Sequence, residues 1–271
     1  MKKDLKEKKL FLLDMDGTIY LDDRLFEGVI DFLAKVREKG GRYIFMTNNS
    51  SKNTSDYMIK LAAMGIETCE GDFVTSADAV IYCLTERYGS PSAAGRIYLI
   101  GTASFQKQLV NAGFDITDTP DEDTGILLCG FDRELTYRKL EDGCRLLSGE
   151  RGKMIKFFAS NPDLVCPVQF GYVPDCGSIC KMIETATGRK PEYFGKPAPY
   201  MAELAMKRTG FGKDETLIIG DRLYTDIACG SNANVDTVFV LSGEGTLKDL
   251  GSSQWKPTFV IENISGLLNE I

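Results

Sequence analysis

Two aspartates one residue apart, Asp14 and Asp16, end the apolar run Lys9–Leu13 in the pentapeptide Asp14-Met15-Asp16-Gly17-Thr18. Side chains at positions i and i+2 of an extended segment project to the same side, so both carboxyls face one crevice if extended geometry persists to Asp16. Carboxylates held this close repel each other unless a cation or a shared proton compensates. With a divalent cation present, Asp14 has the chemistry to attack phosphorus as an ionised carboxylate. Asp16 has the chemistry to protonate a departing alkoxide and later to deprotonate an incoming water. A turn rich in Asp and Gly is the competing reading of the same residues.

Three later segments supply what such chemistry needs. Thr47-Asn48-Asn49-Ser50 follows the apolar run Tyr43–Met46 and offers a hydroxyl and amides suited to phosphate oxygens. Thr47 and Asn48 are the expected phosphate binders, whereas Asn49 and Ser50 serve equally well in a loop that caps the next helix. Gly195-Lys196-Pro197 provides an ammonium that could offset the carboxylates, although a lysine in a turn is ordinarily solvated. The run Leu217–Gly220 delivers Asp221, followed by Thr225 and by Asp226, which stands where a helix N-cap would. A third carboxylate at a third strand end completes an all-oxygen site suited to magnesium, with Asp14, Asp221 and a backbone carbonyl of the first loop as ligands.

The elements that must position these residues are an alternation of strands and helices. Short apolar runs at Lys9–Leu13, Tyr43–Met46, Arg96–Ile100, Ile126–Cys129, Met154–Ala159, Thr216–Ile219 and Thr237–Leu241 each end in a polar or glycine-rich turn. Val29, Ile30, Phe32, Leu33 and Val36 lie at helical spacing between the first two runs, and Tyr57, Met58, Leu61 and Ala62 do so after the second. A third helix begins at Pro199 and carries Met201, Leu204 and Ala205. The pattern predicts an α/β fold with a doubly wound, Rossmann-like parallel sheet, whose ligands bind at the carboxyl ends of the strands. The tetrapeptide L-S-G-E occurs twice, at Leu147–Glu150 and Leu241–Glu244, and reads as a reused turn.

Composition removes the alternatives. The 271 residues include no histidine, which excludes Ser-His-Asp triads, Cys-His pairs and His-ligated metals. Eight scattered cysteines form no C-x-x-C pair and read as packing residues. A net charge of -7 argues against a nucleic-acid polymer as partner and leaves a small molecule. No apolar stretch approaches the roughly 20 residues needed to span a bilayer, and the short run before Asp14 does not suit export, so a cytoplasmic location without membrane partner is expected. A homodimer is compatible with the sequence and is not specified by it.

The four motifs D-M-D-G-T, T-N-N-S, G-K-P and G-D-R-L-Y-T-D, in this order, resemble those of the haloacid dehalogenase superfamily of phosphatases. The long segment between the second and third motifs is similar to the α/β cap of the NagD-like, p-nitrophenyl phosphatase branch, and the likeness covers essentially the whole chain. The resemblance implies a magnesium-dependent phosphatase acting on a small phosphomonoester through an aspartyl-phosphate. Asp14 would be the nucleophile, Asp16 the acid/base, and Thr47 and Lys196 phosphate binders; Asp14, Asp16, Asp221 and Asp226 would make up the metal site. Asn161 and Asp175 fall in segments that resemble substrate contacts of the cap. The implied division is a core of residues 1–80 and 182–271 with a cap at 81–181. The alternatives are a phosphotransferase or phosphomutase using the same intermediate, and a phosphometabolite-binding protein without turnover.

Overall fold

The central runs are apolar on both alternating faces, and a strand of that composition is stable only where helices cover both sides. In the computed structural model, which describes residues 5–168 and 170–271, Leu10–Leu13 and Thr216–Gly220 are buried along their whole length. They lie side by side in a six-stranded sheet of order Phe259–Ile261, Asp236–Val240, Thr216–Gly220, Leu10–Leu13, Arg42–Thr47, Phe73–Thr75. The chain builds outward from Leu10–Leu13 in one direction, then returns to its other side and builds outward again. The switch point of the order therefore falls between Leu10–Leu13 and Thr216–Gly220, where Leu13 lies opposite Ile219 in parallel pairing. Ligands of open α/β sheets bind outside the carboxyl ends at such a point.

Two compact units make up the chain. The first takes in residues up to Thr47, Thr54–Val74 and Lys196–Ile271. Its helix Val29–Glu38 buries Val29, Phe32, Leu33 and Val36 against the sheet, and Phe11 meets Phe32 edge-on at 5.4 Å. Such a pair contributes about 0.5–1.5 kcal/mol beyond the area it buries. Ile30, included in the expected apolar face, instead points to solvent with 53% of its surface exposed, because it stands about 100° around the helix from Val29. Helix Thr54–Ala63 buries Tyr57 and Leu61 but leaves Ala62 exposed. Helix Tyr200–Thr209 starts after Pro199 and ends at Gly210, whose φ of 80° is the left-handed C-terminal cap.

The second unit comprises Asn48–Asn53 and Thr75–Gly195. Its parallel sheet has the order Glu192–Tyr193, Lys156–Ala159, Thr124–Cys129, Arg96–Ile100, Asp115–Thr117. Tyr98, Ile100, Leu127, Phe157, Ile179 and Ile183 are among its core residues. The expected cuts at 80/81 and 181/182 fall inside helices Ser76–Tyr88 and Cys176–Thr187. One crossing between the units, at Val74/Thr75, coincides with a capping box, in which Thr75 Oγ1 accepts from the Asp78 amide and Asp78 Oδ2 accepts from the Thr75 amide. No described helix is long and apolar enough to cross a membrane. All eight cysteines are free, and Cys129, Cys176 and Cys180 are buried in the second unit.

Candidate active site

Two strand ends of the first unit, and the turn that follows the second, deliver the acidic residues to one place. Asp14 follows Leu13, and its amide bonds to the Ile219 carbonyl at 2.9 Å across the switch point. Asp221 follows Gly220 on the adjacent strand. Asp226 sits in the turn Leu223–Ile227, where the Ile227 amide reaches back five residues to the Arg222 carbonyl at 3.2 Å in a π-type arrangement. Carboxylate oxygens of Asp14, Asp221 and Asp226 all lie within 4.8 Å of one another. The Asp226 side chain packs so closely on the strand end that a Cβ at Gly220 would stand 2.3 Å from its Cγ.

Lys196 binds this cluster together. Its Nζ donates to Asp14 Oδ1 and, at 2.6 Å, to Asp226 Oδ1, and it lies 3.5 Å from the Met46 carbonyl on the next strand. The lysine is buried, so the sequence reading of a solvated turn residue does not apply. Burial acts to lower its pKa, but Asp14 and Asp226 outweigh that effect and hold it above its ordinary value. Asp226 Oδ2 accepts from the Arg222 amide and from Thr225 Oγ1, both at 3.2 Å. Asp226 therefore spends both oxygens on fixing Lys196 and its own loop.

The remaining two carboxylates are under electrostatic load. Burial, reinforced by Asp226 and opposed by Lys196, drives Asp14 well above the ordinary carboxylate range. Burial and Asp226 raise Asp221 to about 6. One Asp221 oxygen, Oδ2, accepts from the Glu244 amide at 2.7 Å; the other, Oδ1, is buried without a hydrogen-bond partner. Such an orphaned acceptor is costly unless something unseen by protein–protein bonding satisfies it. Three carboxylates against Lys196 leave two negative charges, and the nearby Arg222 is balanced by Glu244 at 2.9 Å. A divalent cation fits both deficits, and an all-oxygen donor set suits magnesium.

Two glycines make room for Asp221. A Cβ on Gly17 would lie 2.4 Å from Asp221 Oδ2, and one on Gly243 only 2.0 Å away. Ser242 Oγ donates to the Gly17 carbonyl at 2.7 Å and ties the two loops to each other. The residues Arg222, Gly243 and Glu244 were not singled out from the sequence. Arg222 stood inside the G-D-R-L-Y-T-D motif, and Gly243 and Glu244 in the L-S-G-E segment read only as a turn.

Asp16 stands apart from the three grouped carboxylates. The regular strand stops at Leu13, Asp16 makes an isolated bridge with Tyr20, and the chain turns at Gly17, whose φ is +85°. The Asp16 side chain is 54% exposed and outside the acidic cluster, with Tyr20 Oη at 3.4 Å and Lys60 Nζ at 3.9 Å. Its carboxylate is thus not among the grouped metal-ligating oxygens. That exposed position still suits a group that exchanges protons with substrate and water.

The other expected residues divide between the units. Thr47 is buried at the end of Arg42–Thr47, two residues beyond Phe45, which pairs with Leu13. Asn48 belongs to the second unit, where its Nδ2 donates to Asp163 Oδ2 at 3.0 Å and its carbonyl accepts from Ser76 Oγ and Asn161 Nδ2. Asn161 is fully buried; its Oδ1 accepts from the Asp163 amide, and Nδ2 also lies 3.2 Å from Ser160 Oγ. Asp175 is buried as the N-cap of Cys176–Thr187. Asn161 and Asp175 accordingly take part in hydrogen bonds internal to the second unit. Polar residues in turns have the same sequence signature in both roles.

A profile of haloacid dehalogenase-like hydrolases matches residues 11–115, and a second, HAD-hydrolase-like profile matches residues 193–267. An acid sugar phosphatase of Staphylococcus aureus is 31% identical over 267 residues, 98% of this chain and 99% of the relative. The crystal structure of a 4-nitrophenylphosphatase from Thermotoga maritima superposes with a TM-score of 0.89 at 39% identity, covering 98% of each chain. A glycerol phosphate phosphatase from Mycobacterium tuberculosis, solved in complex with magnesium, gives a TM-score of 0.89 at 26% identity, covering all of this chain and 80% of that one.

Proposed function

Given that the chain belongs to the haloacid dehalogenase-like hydrolases and is a phosphatase of the p-nitrophenyl phosphatase-like type, we propose that it hydrolyses a small organic phosphomonoester through a phosphoryl group carried on Asp14. The observation that carries this reading is the half-buried Asp14, ion-paired to Lys196 and grouped with the buried Asp221 and Asp226. Magnesium is the proposed cofactor, held by the carboxylates of Asp14 and Asp221 with Asp226 fixing their surroundings. When bound, it would supply positive charge to the phosphoryl oxygens and allow Asp14 to stay ionised.

The steps follow from the residues. Lys196 holds Asp14 Oδ1, which fixes the carboxylate and leaves Oδ2 to attack phosphorus. As the new bond forms, the bond from phosphorus to the ester oxygen breaks, and Asp16 gives that oxygen a proton. Asp16 then takes a proton from water, whose oxygen attacks the phosphorus of the aspartyl-phosphate and returns Asp14 as a free carboxylate. Thr47 and Lys196 are assigned to the phosphate oxygens. The second unit is assigned the role of a cap that selects the leaving group, on the ground that it is inserted between the second and third motifs.

Rapid quenching of the protein with magnesium and p-nitrophenyl phosphate, followed by peptide mass spectrometry, tests the mechanism. Phosphate on Asp14 that forms and decays at the rate of turnover is the expected result. Turnover without any phosphorylated Asp14, under conditions where a stable aspartyl-phosphate standard survives the quench, would rule the mechanism out.

A further inference from the structure

The second unit contains a cavity of about 450 Å3 walled by five cations, Arg87, Lys153, Lys156, Arg189 and Lys190, against one carboxylate, Glu192. That volume lies within the range of small-molecule sites, roughly 300–1,000 Å3. A chain of net charge -7 does not gather five cations around one cavity by general composition. Helix ends explain part of it: Arg87 is in the last turn of Ser76–Tyr88, and Arg189 and Lys190 follow Cys176–Thr187, where cations suit the helix dipole. Lys153 caps the C-terminus of the short helix Gly149–Gly152, but the dipole does not account for Lys156, which stands at the start of the strand Lys156–Ala159.

The charges are not all compensated. Arg87 gives two N–H bonds to Glu192, at 2.8 and 2.5 Å, and lies over the Phe158 ring at 5.0 Å, so it is a fixed part of the wall. Lys153 meets Glu150 at 2.7 Å in an exposed pair, and Lys190 lies 3.4 Å from the half-buried Glu184, whose charge it shares with Lys181; surface pairs of this kind exchange readily for a better anion. The half-buried Arg189 donates to the carbonyls of Gly152 and Ile155, which orient the guanidinium without neutralising it. Lys156 has no carboxylate partner among the described residues. Counting Glu150, Glu184 and Glu192 against the five cations leaves two positive charges facing the cavity. Tyr88 and Pro191 form an apolar side to the same cavity.

We propose that this cavity is a binding site for a small organic compound carrying two or more phosphate groups, with Lys156, Arg189 and Lys190 as the anion-binding residues. Every lining residue belongs to the second unit, and none belongs to the aspartate cluster or its loops. The assignment does not rest on the phosphatase reading.

Isothermal titration of the full chain with pyrophosphate and with ADP, in buffer stripped of divalent ions by chelating resin, tests it. Without a cation the aspartate cluster is net negative and does not compete for these anions. One-to-one binding that weakens with added salt is expected, and ADP binding tighter than pyrophosphate would place the base on the Tyr88 side. The double substitution K156E/K190E, at exposed positions, should weaken binding by at least about tenfold while p-nitrophenyl phosphate turnover with magnesium is retained. No saturable binding of either compound, or equal binding by a K156E/K190E protein with wild-type circular dichroism, would overturn the assignment.

Discussion

Gly243 is the position at which one methyl group should disable the site without touching any charged residue. Its Cβ would stand 2.0 Å from Asp221 Oδ2, so reaching the 3.4 Å of an ordinary contact takes a displacement of about 1.4 Å. The loop cannot simply retreat. The Glu244 amide is bonded to that same oxygen at 2.7 Å, and Ser242 holds the Gly17 carbonyl from the other side of Gly243. Gly243→Ala must therefore rotate Asp221 or break the Glu244 bond. Overpacking of this kind costs about 1–3 kcal/mol, and a hydrogen bond to a charged group about 1.5–3 kcal/mol.

Because Asp221 is a proposed metal ligand, the cost should appear in the magnesium dependence. Changes beside a metal ligand typically cost about 10- to 100-fold in metal affinity, and we expect the half-saturating magnesium concentration of Gly243→Ala to rise by that factor. Saturating magnesium should restore a substantial part of kcat, since Asp14, Asp16 and Lys196 are unaltered. The assay is the initial rate of p-nitrophenyl phosphate hydrolysis across a magnesium series. Gly251→Ala is the control: no atom lies within 4 Å of its added Cβ, and it sits in helix Leu247–Ser252, where alanine is favoured. A folded Gly243→Ala protein with the wild-type magnesium dependence would refute the role given to Asp221.

Asp14→Asn should abolish turnover of every substrate, whereas Asp16→Asn should lose about 100- to 10,000-fold on alkyl phosphates and much less on p-nitrophenyl phosphate, whose leaving group needs little protonation; a uniform loss across leaving groups would remove Asp16 from proton transfer. Chelation by EDTA should abolish activity reversibly, and magnesium at about 100 times its dissociation constant should stabilise the fold by about 2.7 kcal/mol, read as a rise in Tm; unchanged Tm with full activity in metal-free buffer would contradict the metal site. Alkylation of the native protein should modify Cys69, the exposed thiol, first and leave turnover intact, because burial holds the Cys176 thiol well above its ordinary pKa and no cysteine has a chemical role; loss of turnover that substrate protects against would show otherwise.

The central strands were legible because a strand buried on both faces must be apolar throughout, a pattern that needs no partner to be recognised. The edge strands were not. Phe73–Thr75 and Phe259–Ile261 are three residues each, too short to establish a period, and they exist through the neighbours they pair with. The division into units was hard to place for a related reason. No linker composition marks it, whereas Thr75-Ser76-Ala77-Asp78 spells a helix start where one unit gives way to the other, and a cut at residue 80 falls within the helix it begins.

The chemistry-bearing side chains were readable by type and order, because few residues besides aspartate, lysine and threonine can serve these roles in a chain without histidine. Their arrangement was less readable. The inference that put Asp16 beside Asp14 assumed that extended geometry continued to Asp16, whereas the regular strand ends at Leu13 and Asp16 is held by an isolated bridge to Tyr20. Gly243 and Glu244 could not be found by spacing at all. They reach Asp221 because Asp236–Val240 lies next to Thr216–Gly220 in the sheet, with Phe239 opposite Gly220, so that the loop after one strand passes over the aspartate after the other. Only the strand order brings those loops together. A glycine required by a carboxylate 22 residues earlier in the chain leaves no local signal. It becomes visible once the position of the missing Cβ is known.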